Sequence, residues 1–303
     1  MSYTIETNHL SKIYGDVRAV QGVNLRVKSG EIYGFLGLNG AGKTTTIRML
    51  LGMIRPSEGN VHVLGQALGP GGRGPWADVG HLVESPSAYP ELTVRENLEI
   101  ARRLYGVKNP KAVDDVMEKL GIVSYSKRRA GALSTGNLQR LGLACAMIHK
   151  PSLLILDEPA NGLDPAGVIE IRELLAKLAH NQGVTIFMSS HILTEVDRLA
   201  THIGIIHKGQ IIEDLDAEKL EQFRAKRLEI KVRDFAKAHA LLIKANYSAI
   251  IEHGSILVSD ARATEAPDEI ARLLVNENVP PTRLTVEQQN LEDHFMQLTG
   301  SSK

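Results

Sequence analysis

The sequence predicts an α/β core followed by a smaller α+β domain, and three observations carry that prediction. The stretch Gly37-Leu38-Asn39-Gly40-Ala41-Gly42-Lys43-Thr44 is a glycine-rich loop between a strand-like run, 31–36, and a helix-like run opening at Thr45. Leu153-Leu154-Ile155-Leu156-Asp157-Glu158 is an apolar strand ending in carboxylates. Such a strand belongs inside a parallel sheet covered on both faces. Past residue 220 the buried-strand pattern lapses, then restarts as short strands alternating with helices.

The first stretch has a chemical reading. A strand feeding a glycine-rich turn and then a helix N-terminus aims backbone N–H groups and the positive dipole end at one point. Glycines let the backbone approach a phosphate with no Cβ in the way. In that pattern Lys43 reaches the β- and γ-phosphates and the Thr44 hydroxyl ligates Mg²⁺. The loop implies a nucleoside triphosphate.

Composition narrows the class. The chain has 303 residues, enough for one large core and a second domain, and 35 basic residues balance 35 acidic ones. That balance carries no nucleic-acid footprint, which is a basic patch or domain. One cysteine, Cys145, excludes an internal disulfide and fits a reducing cytosol. The N-terminus shows no apolar signal region, and no run approaches the roughly eighteen apolar residues of a membrane span.

In chain order, 3–7 alternates as a strand, 12–16 reads as a turn and 23–27 as the returning strand, together an antiparallel subdomain. Tyr14 falls on that turn, as an ordinary turn tyrosine or as a ring placed to stack on a base. A strand at 60–64 precedes a Gly/Pro-rich loop, 65–75, and a strand at 76–83. Thr93-Val94-Arg95-Glu96 is a capping box opening a helix through Tyr105, and a second helix spans 110–120. Ser134 caps a third, running to His149 before Pro151 stops it. These helices form an insertion over about 85–150. A helix over 167–179 leads to a second buried strand, 184–190, closed by His191; a helix at 194–200 and strands at 202–207 and 210–215 complete a domain over 1–218. A lone histidine is ordinarily structural, but His191 shares with Asp157 and Glu158 the carboxyl end of the sheet, where open α/β folds place ligands. The charged stretch 219–227 reads as a linker. Residues 228–303 follow a ferredoxin-like βαββαβ order and end in an amphipathic helix, 291–298, with Leu291, Phe295 and Leu298 on one face. No motif there carries chemistry, so its role reads as structural or partner-binding.

The loop, the acid-ended strand, Leu133-Ser134-Thr135-Gly136-Asn137, Asn161-Gly162-Leu163-Asp164 and His191 together resemble, over roughly residues 2–218, the ATP-binding cassette family of transport ATPases. The resemblance implies that ATP phosphates sit on Gly37 to Thr44 and Thr45, the Walker A loop. It makes 153–157 the Walker B strand, with Mg²⁺ on Thr44 and Asp157. Glu158 becomes the general base, and Lys43 and the switch histidine His191 act beside it. Tyr14 stacks on adenine. The family works as a head-to-tail pair in which each ATP also meets the other copy's signature, here Ser134 and Gly136, and its D-loop, here Asp164. Implied partners are a second copy and an integral-membrane permease, with the chain peripheral on the cytoplasmic face of the membrane.

The departures are specific. Leu38 replaces a common proline, and Thr135 and Asn137 replace Gly and Gln of the signature LSGGQ. Glu84 stands where most members carry the Gln that touches Mg²⁺ and senses the permease, and is expected to make that metal contact. Glu84, Ser85-Pro86, Tyr89-Pro90 and Leu92-Thr93, with the C-terminal Leu291-Glu292-Asp293-His294-Phe295, look like the bacterial antibiotic and bacitracin-type export branch. Pro86, Tyr89, Pro90 and Leu92 are the expected docking surface for a permease helix, in the helix-in-groove manner. The rival readings are a soluble cassette ATPase in repair, translation or regulation, and a P-loop GTPase or kinase. A single cassette and the lack of long heptads stand against repair and translation, and no Asn-Lys-x-Asp is present to read guanine. Cargo is not written in this chain.

Overall fold

A computed structural model describes residues 3–69, 73–224, 226–252, 254–288, 294, 295 and 298. The chain divides into two units, Met1–Asp216 and Ala217–Lys303.

Unit 1 opens with β1 (Tyr3–Tyr14), β2 (Val17–Val23), β3 (Arg26–Lys28) and β4 (Ile32–Leu36), then α1 (Lys43–Leu50). Next come β5 (Glu58–Val63), β6 (Gln66–Ala67), β7 (Val79–Leu82), α2 (Val94–Leu104), α3 (Ala112–Lys119) and α4 (Thr135–Met147). β8 (Leu153–Asp157), α5 (Pro165–Gln182), β9 (Thr185–Ser190), α6 (Leu193–Asp197), β10 (His202–His207) and β11 (Gln210–Leu215) close it. The central sheet has the order β11-β10-β4-β9-β8-β7, parallel except for β11. Every residue of β4, β8 and β9 is buried, as the apolar runs require. The stacked rings of Tyr33 and Phe187, 5.4 Å apart, and Phe35 beside them fill the middle of the core.

The antiparallel sheet differs from the expected one. β1 runs on through the supposed turn to Tyr14, and the true turn is Gly15-Asp16. The returning chain starts at Val17 and breaks into β2 and β3. One long strand here serves three partners: β3 and β5 pair with its first part and β2 with its second. Register shifts near residues 8–13 make that possible by bending the strand, as bulges do. Side-chain alternation carries no such signal. The strand expected from Trp76 begins instead with a single 3₁₀ turn, Trp76–Asp78.

The insertion follows the cap chemistry. Thr93 and Glu96 make the full capping box, and the Ser134 Oγ accepts from the Asn137 N–H at 3.3 Å. Two glycines let α4 lie close against β7. A Cβ on Gly80 would meet the Ala146 carbonyl at 2.1 Å, and one on Gly142 the Pro86 ring at 2.7 Å. At the amino ends of β4 and β10 the buried His202 ring bridges Glu31 (2.9 Å) and Asp214 (2.8 Å), with Tyr33 also donating to Asp214.

In unit 2 most of the expected linker, 219–227, is regular structure: α7 (Ala217–Arg224) buries Leu220 and exposes Glu218, Lys219 and Glu221. β12 (Lys226–Lys231), α8 (Phe235–Lys244), β13 (Ala249–Glu252), β14 (Ser255–Val258), α9 (Ala261–Glu265), α10 (Pro267–Asn276) and β15 (Arg283–Gln288) follow. The sheet order β13-β14-β12-β15, antiparallel throughout, is the ferredoxin-like one. Leu228, Ile230, Ile256 and Val258 pack on Leu242, Ile270 and Leu274. At its β13 edge, the Ala249 N–H turns back to the Tyr247 carbonyl and its own carbonyl accepts from His239 Nε2 at 2.9 Å. Most of the expected final helix, including 291–293 and 296–297, lies outside the described residues; Phe295 is buried.

Candidate functional site

The site is assembled at the carboxyl ends of β4, β8 and β9. β4 is rigidly buried and delivers the chain into the 37–42 loop, whose crest at Leu38, Asn39 and Gly40 is exposed. Gly37 and Gly42 are required by space: a Cβ on either would meet a main-chain oxygen, of Ile206 at 2.5 Å or of Ala19 at 2.6 Å. Gly42 also has φ +109°, which a side chain would oppose. The Ala41 N–H donates to the Leu38 carbonyl, and α1 then begins, with Thr45 half-buried on its first turn.

Lys43 is 5% exposed, and its ammonium donates to the Gly37 carbonyl at 2.7 Å and stands 3.5 Å from a Glu158 oxygen. The Thr44 hydroxyl donates to Asp157 Oδ2 at 2.7 Å, while Ser189 holds the other oxygen of that buried carboxylate. Glu158 follows in a left-handed turn, φ +50°, its N–H bound to Ser189, and its second oxygen is 2.9 Å from His191 Nδ1. The structure thus gathers Lys43, Thr44, Asp157, Glu158 and His191 into one continuous polar chain.

A second group lies along the insertion. Gly136 is tight against the D-loop, since a Cβ there would meet the Gly162 carbonyl at 3.2 Å. Asp164 caps α5, its Oδ1 accepting from the Gly167 N–H at 3.1 Å, with Pro165 at the first helical position. This cap starts α5 two residues before the expected 167 and carries it to Gln182. Two expected residues stand apart. Tyr14, at the end of β1, is 48% exposed with the Lys12 ammonium 5.0 Å over its ring. Glu84, in a left-handed turn of φ +58°, is ion-paired with Arg48 of α1 at 2.7 Å and makes no contact with Thr44 or Asp157.

Sequence reasoning passed over Gln139 and Asn97. Gln139, buried in α4, donates to the carbonyls of both Glu158 and Pro159 at 3.2 Å. Asn97, buried in α2, accepts from the Tyr89 N–H and donates to the Tyr89, Leu92 and Thr93 carbonyls, fixing the Pro-rich segment. A polar amide on the apolar face of each helix was the available signal.

The donor set suits Mg²⁺: a hydroxyl and a carboxylate are hard oxygen ligands, and this ion keeps waters and substrate phosphates as its remaining ligands. Among the described residues no cluster of three or more His, Cys, Asp or Glu could hold a metal by itself. None of their helices is long and apolar enough to cross a membrane.

The ABC transporter family matches residues 20–161. Bacitracin transport ATP-binding protein BcrA of Bacillus licheniformis is 40% identical over 99% of this chain and 98% of its own length. The BcrA of Enterococcus faecalis is 38% identical over 99% of this chain and 97% of its length. Lantibiotic transport ATP-binding protein SrtF of Streptococcus pyogenes is 35% identical over 72% of this chain and 94% of its length. Among solved structures, an ATP-binding subunit of an ABC transporter superposes with a TM-score of 0.66 at 27% identity, covering 72% of this chain and 92% of that one. A dimeric ATP-binding cassette bound to ADP and Pi shares the fold, with a TM-score of 0.65 at 22% identity over 70% of this chain and 98% of that one. On its full-length identity to these relatives and its nucleotide-site geometry, the chain belongs to the ABC transporter family, as an ATP-binding and ATP-hydrolysing subunit.

Proposed function

We propose that this ATPase drives export of bacitracin-like peptide antibiotics or related amphiphilic compounds through a separate membrane permease. It works as a pair of identical copies on the cytoplasmic face of the membrane. The names of its relatives support the cargo class. The observation that carries the mechanism is Glu158, set between Lys43 and His191 directly after Asp157.

In this reading ATP phosphates replace the Gly37 carbonyl as the partner of Lys43. Thr44 and Asp157 would hold Mg²⁺, which when bound would neutralise charge on the phosphates. Glu158 accepts a proton from the attacking water, and His191 orients its carboxylate. Tyr14 stacks on adenine. Ser134, Gly136 and Asp164 serve the nucleotide of the second copy, whose negative charge suits the N-terminus of α4. The boundary between Asp216 and Ala217 divides the motor from an accessory unit.

The test is hydrolysis by purified Glu158→Gln beside Lys43→Ala. Glu158→Gln is expected to bind ATP, dimerise stably with it and lose about 100-fold or more in turnover, the scale of a general base. Lys43→Ala is expected to lose nucleotide affinity itself. Wild-type turnover in Glu158→Gln removes that residue from the role.

A further inference from the structure

Away from the nucleotide residues, unit 1 holds a cleft of about 270 Å³ where α3, α4 and α5 all end, over the start of β8. Its floor is apolar: Met147, Leu154, Leu178 and Val184 are all buried. Its rim carries Lys119, Lys150 and Ser152.

Cations at helix C-termini commonly serve the last carbonyls. Here the backbone already closes them. Gly121 and Ile122 bond Glu118 and Met117, Gly183 and Val184 bond Ala179 and Leu178, and the Lys150 N–H bonds Met147. Neither lysine ammonium has a hydrogen-bond or carboxylate partner among the described residues. Asp78 is the one acidic residue of the lining, so the rim keeps an excess of positive charge. At about 30 Å³ per water the space equals about nine waters, at the lower limit of ligand pockets. It suits a compact occupant.

We propose that this cleft binds a small amphiphilic anion, with a carboxylate or phosphate at Lys119 and Lys150 and an apolar body on Leu154 and Leu178. Such an occupant touches both the insertion, through α3 and α4, and the core, through β8 and α5. It therefore fixes the far end of the helix whose N-cap is Ser134, about 20 Å away at 1.5 Å per residue.

The probe is hexyl phosphate, titrated calorimetrically into the full chain saturated with ADP, so that the phosphate loop is occupied. Binding is expected, with hydrogen-exchange protection confined to 116–122, 147–154 and 178–184. The Lys119→Ala/Lys150→Ala double variant, on the surface and compatible with folding, should weaken it about tenfold or more. Asp78→Asn should tighten it by removing a like charge. Inorganic phosphate and hexanol, each with half of the recognised chemistry, should bind at least about tenfold more weakly. Hexanoate against hexyl phosphate tells which head group is preferred. No binding at millimolar probe, unchanged affinity in the double variant, weaker binding in Asp78→Asn, or protection mapping elsewhere overturns the proposal.

Discussion

Glu158 is held in a left-handed backbone conformation that costs a non-glycine residue roughly 1–3 kcal/mol, offset here by the two bonds from its N–H to Ser189. Strain of this kind collects at functional sites, and it points the carboxylate between Lys43 and His191. Glu84 shares the conformation but has a different neighbour, Arg48. That pair is exposed and worth at most about 1 kcal/mol. Glu84→Gln is therefore expected to leave stability and basal ATPase activity intact while altering stimulation by the permease. Hydrolysis assays with and without the reconstituted partner check this; loss of basal hydrolysis would make Glu84 catalytic. The candidate residues that the structure gathers, Lys43, Thr44, Asp157, Glu158 and His191, stood out in the sequence because the glycine-rich loop, the acid-ended strand and the histidine-ended strand are each one continuous run. Gln139 and Asn97 did not, because their role depends on which main-chain oxygens the fold brings within reach.

At the scale of elements, α4 is the component that both groups of site residues share. It carries Ser134 at its start, Gln139 in its middle and Gly142 against β7. A Cβ on Gly142 lands 2.7 Å from Pro86 and 2.8 Å from Leu82. Overpacking of about 1–3 kcal/mol outweighs the roughly 1 kcal/mol that alanine gains over glycine in a helix. Gly142→Ala should thus lower the melting temperature and displace the segment after Glu84. That segment is braced by Asn97 and presents Tyr89 at 59% exposure. Charge substitutions at Tyr89 and Leu92, with the permease co-expressed, are expected to release the ATPase from membranes while ATP binding persists. Retention on the membrane would move the docking surface elsewhere. Caps and buried strands could be read locally. The branching of β1 among three partners and the α4–β7 contact could not, since both rest on bulges and missing Cβ atoms rather than on periodicity.

For the whole molecule, pH acts on unit 1 from two sides. Burial alone would lower the pKa of His202, but hydrogen bonds to Asp214 and Glu31 outweigh it and hold the ring up to about 9. Its stabilisation is complete below the unfolded value of about 6.5 and is lost as pH rises through about 9. His149, stacked on Tyr105, goes the other way: burial lowers its pKa, and its bond to the Val79 carbonyl only partly offsets that. Its contribution is lost as pH falls below about 6.5. Denaturant titrations of the unit 1 transition should show His202→Gln flattening the alkaline decline and His149→Gln the acid one. Unchanged slopes would dissociate these rings from the profile. The ferredoxin-like order of unit 2 was legible from its restarting pattern, whereas α7 was hidden because its charged face reads as solvated chain.

The β13 edge of that second sheet bears on how crowded copies behave. Ile250 and Ile251 are each 53% exposed on an outermost strand, the kind of surface that recruits foreign strands into fibrils. Both polar main-chain groups of Ala249 are already engaged, by Tyr247 and His239. A stray strand arriving there meets a ladder with its first rung removed. With those two groups engaged, a foreign strand finds fewer main-chain partners beside this exposed apolar pair.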